Sequence, residues 1–379
     1  MDKLYEKINA ILIDPTQISV CRMGIMGGQA DLTDYSELLN VRAKEFLEDY
    51  MEKHSQEECD ISKCVAMIIL SEIYYQNDDC YHALIMINSA LAFLEKEDND
   101  EIWVAARYVQ MCILLVTGQL HSIYPMVDGM KERIHQSENQ ELVENYEAMR
   151  AWSALYDDDW HIIEEWMNTS APNEFDKLKL KDTYRLFIKA RVYYMQDQYL
   201  AAISLLQSME GMLTQNNRTM ELCELNMLLA MAFDAQGHTK EAYEYFEKSL
   251  DIAESRGLSR LIADEGEPIF RLIRGYYRNI NKESKNSRFI QGIKKISRDM
   301  ALLYPRYLKN HRHDYPRLTK KEIMIIKLLA VGMSNAEIAE FLENSQNTVK
   351  CHIKNIFQKL GASNRTQAIK IAQEERLVK

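Results

Sequence analysis

One feature limits the possible folds of this chain more than any other, a helical pattern that returns about every 40 residues. Short polar breaks (QNDD, VTGQ, YDDD, MQDQ and AQGH) separate stretches whose apolar residues have helical spacing. When the helices after these breaks are aligned, five positions fall in register at steps of 40, 40, 39 and 40: Ala83, Ile123, Ile163, Ala202 and Ala242. The period predicts a stack of helix pairs, because a single pair cannot bury its apolar face.

The last of these units, LLAMAFDAQGHTKEAYEYFEKSLDIA, resembles a tetratricopeptide repeat (TPR). The residues at matching offsets are Leu229, Ala230, Phe233, Gly237, Ala242 and Phe246. The residue twelve positions before the aligned one is small in four of the five units, and Met111 is the exception. Small residues let paired helices approach closely. Glycine (13) and proline (6) are scarce among 379 residues, which argues against a turn-rich all-β protein. The predicted fold class is therefore all-α, with a TPR-like superhelix.

Neither a secretory signal nor a membrane span is expected. No apolar run reaches the ~18 residues of a transmembrane helix, and the start, MDKLYEKINA, lacks a basic segment followed by an apolar one. The seven cysteines are irregularly spaced and include no CxxC, which favours reduced thiols over disulfides or structural zinc. The expected location is the cytoplasm.

Charge is distributed unevenly along the chain. The formal net charge of −11 divides into −25 for residues 1–270, +9 for 271–315 and +5 for 316–379. An acidic body joined to a basic C-terminal part indicates that one part contacts a polyanion. An unevenly charged but merely solvated surface is the alternative.

The last 64 residues contain the start signals of two helices. TKKE (319–322) and SNAE (334–337) are capping boxes, and Gly332 suits the left-handed end of the first helix. A short second helix then leads, through a turn at 343–345, into a longer helix over roughly 346–360. Two short helices with this spacing predict a helix-turn-helix.

The longer helix has two unlike faces. Its apolar positions recur every three or four residues and are expected in the core: Val349, Ile353, Ile356, Phe357 and Leu360. The opposite side carries Asn347, Lys350, Cys351, Lys354 and Gln358. Lysine can contact guanine edges or phosphate, and amide side chains suit adenine, so this face is a candidate for reading DNA. A solvated polar face, which any surface helix has, is the alternative.

These motifs resemble the LuxR-type helix-turn-helix domain. The family pattern L-T-x-R-E, G-x-S-N-x-E-I-A, T-V-K-x-H and N-I-x-x-K-L is matched at 318–322, 332–339, 348–352 and 355–360, and NRT (364–366) matches the start of the family's fourth helix. The resemblance implies that the third helix enters the major groove of DNA and that the fourth pairs two domains. It implies these DNA-binding residues: Thr319, Lys320, Asn347, Thr348, Lys350, Cys351, Lys354, Asn355, Gln358 and Arg365.

The resemblance also divides these residues by role and reveals two departures. The family positions that usually face bases are matched by Lys350, Cys351 and Lys354, whereas Thr348 matches a position that faces phosphate. Lys321 stands where the family prefers Arg, which is expected to weaken an internal ion pair. Asn344 stands where an apolar residue is usual, which is expected to loosen the turn.

A second resemblance covers the body of the chain. The segment GLSRLIADEGEPIFRLIRGYYRN (257–279), and the longer stretch 148–275, are similar to the end of the repeat region in MalT-type activators. Those regulators usually carry an ATPase before their repeats. Here no GxxxxGK[ST] occurs, and the glycines at 24, 27 and 28 lack the following Lys-Ser/Thr, so a loop is expected there. The resemblance therefore implies a MalT-like arm without an N-terminal ATPase domain.

Other chemistry is not indicated by the sequence. His311 and His313 lack further ligands nearby, and residues 157–159 lack the alternating spacing of a calcium loop and are expected to form a turn. No GxSxG or HExxH motif occurs. We expect no enzymatic activity, no metal site and no cofactor.

The predicted organisation has four parts. They are an N-terminal helical segment (1–58), TPR-like helical repeats (59–256), a basic helical connector (257–315) and a LuxR-type helix-turn-helix domain (316–379). Three interpretations of the connector stay open: it contacts phosphate, docks on the acidic repeats, or is a solvated linker.

The sequence as a whole predicts a bacterial DNA-binding transcriptional regulator whose repeats sense an effector. Its expected partners are double-stranded DNA, a second copy of the chain, RNA polymerase, and an unidentified small-molecule, peptide or protein effector. The alternative is a repeat scaffold that mainly binds protein partners, with the C-terminal domain as a docking or dimerisation module.

Overall fold

A computed structural model describes residues 3–13, 38–279, 287–308, 318–342, 344–360, 362 and 364–374. These residues form α-helices with short 3₁₀ turns and include no β-strand, so the all-α fold class is confirmed. The chain divides into two compact units, Met1–Lys309 and Asn310–Lys379. The glycines at 24, 27 and 28, the histidines at 311 and 313, and connector residues 280–286 lie outside the described residues.

The helices that the structure describes are numbered in chain order. In the first unit they are α1 Lys3–Ile13, α2 Val41–Lys53, α3 Ile61–Gln76, α4 Cys80–Leu94, α5 Asp100–Val116, α6 Leu120–Gln136, α7 Gln140–Asp157, α8 Trp160–Thr169, α9 Thr183–Met195, α10 Tyr199–Gln215, α11 Thr219–Gln236, α12 Thr239–Arg256, α13 Ser259–Ala263, α14 Glu267–Asn279 and α15 Ser287–Leu303. In the second they are α16 Lys320–Ala330, α17 Asn335–Phe341, α18 Gln346–Leu360 and α19 Arg365–Glu374. None of the described helices combines the length and apolarity that crossing a membrane requires.

Helices α3 to α12 form the five predicted pairs. The first helix of each pair (α3, α5, α7, α9 and α11) is buried along most of its length, whereas the second buries a single face. The five aligned positions all lie on the buried face of a second helix: Ala83, Ile123, Ile163, Ala202 and Ala242. The 40-residue period is therefore confirmed as a repeat of structure.

The turn inside each pair has the same backbone conformation. One residue per turn has a left-handed φ between +60° and +83°: Asp78, Gly118, Asp158, Asp197 and Gly237. The next amide in each turn donates to the carbonyl five residues earlier, as in a Schellman cap. Gly and Asp tolerate this conformation better than β-branched or bulky residues do, which explains why the polar breaks recur with the period. The turn expected at 157–159 is confirmed.

Residues 259–279 and 287–308, called segment 259–308 below, cover the C-terminal ends of the first helices. Tyr304 donates a hydrogen bond to the carbonyl of Leu115 in α5 at 2.6 Å. The ring of Tyr307 stacks on that of Tyr156 in α7, with centroids 3.8 Å apart. The apolar faces of α14 and α15 are buried in the same core. The described part of the connector is therefore packed on the repeats and is not a solvated linker.

Polar contacts tie this segment to the other first helices. Tyr75, at the end of α3, donates to the carboxylate of Asp264. Arg271 donates to Asp234 in α11 at 3.1 Å. Since partners from α3 and α11 lie far apart in the chain, the segment joins the first and last helix pairs.

A buried charge cluster lies at the centre of this packing. The side chain of Arg191 is 2% exposed and pairs with Glu224 at 2.8 Å and with Glu265. Tyr307 donates to the same Glu265 carboxylate at 3.1 Å. Burial alone would lower the pKa of Arg191, but the two carboxylates outweigh it and raise that pKa, so the arginine stays charged.

The second unit has its own core, formed by α16 to α19. Both predicted capping boxes are present, and Gly332 has a left-handed φ of +99°. The buried residues are Ile325, Ile326, Leu329, Ile338, Ala339, Val349, Ile353, Ile356, Ala368 and Ala372. Phe357 is partly buried against them, and the side chain of Leu360 lies outside the described set. The apolar face predicted for the long helix is confirmed at its described positions.

Candidate nucleic-acid interface

The candidate interface is the outer face of α18, and its start is fixed by a helix cap. The amide of Thr348 donates to the hydroxyl oxygen of Ser345 at 3.1 Å, and the two hydroxyls are 2.8 Å apart. A serine at this position satisfies an amide that has no partner within the helix. The helix therefore begins at Gln346, as the sequence predicts.

Six predicted site residues share this exposed side of α18. They are Asn347, Thr348, Lys350, Cys351, Lys354 and Asn355. Val349, Ile353 and Ile356 lie on the opposite side in the core, so the helix cannot rotate without exposing them. In the described part of the chain, neither Lys350 nor Lys354 has an ion-pair partner. The face thus presents two free cations one turn apart, beside amide, hydroxyl and thiol groups.

For two other predicted residues the structure describes the backbone but not the side chain. Lys320 is the first residue of α16 and Gln358 lies in the last turn of α18, but their side chains are outside the described set.

Thr319 is exposed and is the N-cap of α16. Its hydroxyl oxygen accepts from the amide of Glu322 at 3.3 Å, and its own amide donates to that carboxylate at 2.7 Å. The capping bond leaves the hydroxyl proton of Thr319 available, and a phosphate, which only accepts hydrogen bonds, would be contacted through that proton.

Arg365, unlike the predicted residues on α18, makes its described contacts within the domain. It is partly buried at the start of α19, where its guanidinium donates to the carbonyl oxygens of Leu329 (2.9 Å) and Met333 (2.8 Å). The Leu329 carbonyl lies in the last turn of α16, and the Met333 carbonyl lies in the turn between α16 and α17. Arg365 therefore fastens α19 to α16, and its contact with DNA stays a prediction. No local signal in the sequence indicates this fastening role.

The two residues that depart from the LuxR-type pattern contact each other. Lys321 Nζ donates to Asn344 Oδ1 at 3.2 Å. The side-chain amide of Asn344 donates to the carbonyl of Leu342 at 2.6 Å, and its backbone amide donates to that of Ala339 at 2.9 Å. Asn344 therefore contributes hydrogen bonds to the turn before α18, and the expected loosening of that turn stays a prediction.

Together, these features define a helix-turn-helix protein that carries a helical-repeat unit. The chain belongs to the family with a MalT-like TPR region, whose model matches residues 23–278. The model of bacterial regulatory proteins of the luxR family matches residues 316–372. Both matches agree with the resemblances read from the motifs.

Individual relatives match only part of the chain. The HTH-type transcriptional regulator MalT of Vibrio campbellii is 26% identical over 232 residues, which are 56% of this chain and 25% of that protein. The CsgBAC operon transcriptional regulatory protein of Escherichia coli is 32% identical over 109 residues, 27% of this chain and 50% of the relative. The response regulator protein VraR of Staphylococcus aureus is 36% identical over 93 residues, covering 23% and 44%. The chain thus spans a quarter to a half of the length of these relatives.

Proposed function

We propose that this protein is a bacterial transcriptional regulator that binds double-stranded DNA through the exposed face of α18. The observation that carries the proposal is the pair of free lysines, Lys350 and Lys354, on the outer face of the third helix of a luxR-family domain. The three relatives cited above are named as transcriptional or response regulators, and none as an enzyme. We propose no enzymatic activity.

The residues of this face divide between bases and backbone. Lys350, Cys351 and Lys354 point away from the core and would face bases in the major groove, where lysine recognises guanine. Thr348, at the start of α18, would contact phosphate, since a helix N-terminus favours an anion. Asn347 and Asn355 flank the lysines and add amide groups that suit adenine.

Dimerisation and an effector complete the proposal. A second copy of the chain would pair through α19 and place two recognition helices on a two-fold operator. An effector bound at the repeats would influence DNA binding through segment 259–308, because that segment contacts the ends of all five first helices and ends ten positions before Leu318. The protein would act in the cytoplasm, and RNA polymerase would be its further partner.

The test is selection of bound sequences from a random duplex library at near-physiological salt. The full chain should enrich one motif, and Lys350→Ala with Lys354→Ala should abolish that enrichment without unfolding the protein. A matched control replaces two exposed lysines of the repeat unit, Lys131 and Lys240, by alanine and should enrich the same motif as the wild type.

The competing function is a scaffold that binds protein partners. It would lead to no enriched motif for the wild-type chain, and to equal behaviour of the two double variants. Changes on the repeat surface, rather than on α18, would then alter the protein's interactions. The regulator proposal would be overturned if the wild-type chain enriched no motif, or if the two double variants behaved alike.

A further inference from the structure

Helix α15 has one apolar and one basic face. Its buried residues are Ile290, Ile293, Ile296, Ser297 and Met300. Its exposed residues include a stripe at i, i+3, i+7 and i+10, which we call the α15 stripe: Arg288, Gln291, Lys295 and Arg298. At about 100° per residue these four positions fall within an arc of roughly 80°, opposite the buried side.

The cations of the stripe are available to a ligand. In the described part of the chain, Arg288 and Lys295 have no carboxylate partner, and Arg298 has only an exposed contact with its neighbour Asp299 at 3.3 Å. An exposed pair of this kind contributes little free energy and exchanges readily for another anion. The stripe is a patch of positive charge on an otherwise acidic unit, since residues 1–270 carry a net charge of −25.

We propose that the α15 stripe is a second DNA contact, which binds backbone phosphates without reading sequence. The inference rests on the proposed function, because it adds a contact by the repeat unit to the one made by α18. Arg288 and Arg298 are ten residues apart, or about 15 Å along a helix. That length spans several phosphates of one strand, which are spaced by about 3.4 Å along the DNA axis.

The chain length allows both contacts on one duplex. Ten peptide steps join Leu308 to Leu318, and at ~3.6 Å each they reach at most about 36 Å, close to one turn of DNA. The acidic body does not forbid the contact. Exposed charges are screened beyond about 8 Å at physiological ionic strength, so the nearest cations decide the local interaction.

The experiment measures binding of the full chain to a 40-base-pair duplex of mixed sequence between 50 and 200 mM KCl. The variant Arg288→Gln, Lys295→Gln and Arg298→Gln should make the negative slope of log K against log salt shallower by about 2 to 3, because each phosphate contact contributes about −0.9 to it. The affinity at 100 mM should fall roughly 10- to 100-fold. The loss should be equal for every sequence tested.

The matched control is Lys53→Gln, Lys131→Gln and Lys240→Gln, which removes the same charge from exposed positions on α2, α6 and α12. It should leave the slope unchanged, and circular dichroism should match the wild type for both triple variants. Equal slopes for the two would overturn the inference. Failure of the proposed function has a different signature, since Lys350→Gln with Lys354→Gln would then leave binding unchanged.

Discussion

Lys321 Nζ lies 3.2 Å from Asn344 Oδ1, so the first turn of α16 is tied to the residue that precedes α18 by two positions. Each residue is a departure from the LuxR-type pattern and is expected to weaken the domain. In this chain the two side chains are hydrogen-bonded to each other, and Asn344 also donates to the carbonyl of Leu342 in the turn before α18. Asn344 therefore contributes more to this turn than Lys321 does.

Asn344→Ala should destabilise the second unit by about 1 kcal/mol, because the carbonyl of Leu342 loses its donor. Lys321→Ala alone should cost less than about 0.5 kcal/mol, since the contact is exposed. The four tryptophans all lie in the first unit, so hydrogen exchange of the α16 and α18 amides is the suitable measurement. A double-mutant cycle tests the contact itself, and additive effects of the two substitutions would contradict it.

Arg365→Ala should weaken the docking of α19 on α16 by about 1.5 to 3 kcal/mol, because two carbonyls lose a charged donor. The measurement pairs hydrogen exchange of the α19 amides with DNA affinity. If Arg365 only fastens α19 to α16, the variant should lose hydrogen-exchange protection of the α19 amides and DNA affinity together. Loss of affinity with full protection would instead show that Arg365 acts on DNA directly. The control is Gln367→Ala, which changes an exposed residue of the same helix.

Glu265→Gln should destabilise the first unit by about 3 kcal/mol, because it removes the carboxylate charge that Arg191 and Tyr307 share in the core. Tyr307→Phe should cost less, about 1 to 2 kcal/mol, because it removes the hydroxyl, which also hydrogen-bonds with Tyr156 and Trp152, while the ring still stacks on Tyr156. Urea unfolding followed by tryptophan fluorescence measures both values. If the two substitutions cost the same, the buried charge of Glu265 does not contribute as argued.

Local patterns in the sequence predicted what is local in the structure. The helical spacing inside each repeat, the turns with one left-handed residue and the two faces of α18 each depend on residues within a few positions of one another, and the repeat recurs at a regular period. The packing of segment 259–308 on the repeats was one of three open interpretations, and the sequence could not choose among them because its contacts join distant positions, such as Tyr75 with Asp264. The same holds for Arg365 with Leu329. Such pairs leave no periodicity along the chain, and the DNA-contacting roles on α18 stay predictions because they concern a molecule outside the chain.

Glu174 should make the stability of the first unit sensitive to acid. Its carboxylate accepts hydrogen bonds from the buried Lys189 and from Tyr193, which fasten the loop between α8 and α9. Burial raises the pKa of Glu174, but these bonds outweigh it and hold the pKa below the ordinary value of 4.5. The unfolded chain thus binds this proton more tightly than the folded one. The stabilisation is complete above pH 4.5 and is lost as the pH falls through the folded pKa.

Glu174→Gln should therefore lower the free energy of unfolding at pH 7, and the difference from wild type should shrink as the pH falls below about 4.5. Urea unfolding followed by tryptophan fluorescence between pH 7 and about pH 3 checks this. Asp176→Asn changes an exposed carboxylate of the same loop and should have no comparable effect. A difference between Glu174→Gln and wild type that stays constant down to the lowest pH would mean that the fastening of this loop does not depend on the carboxylate charge.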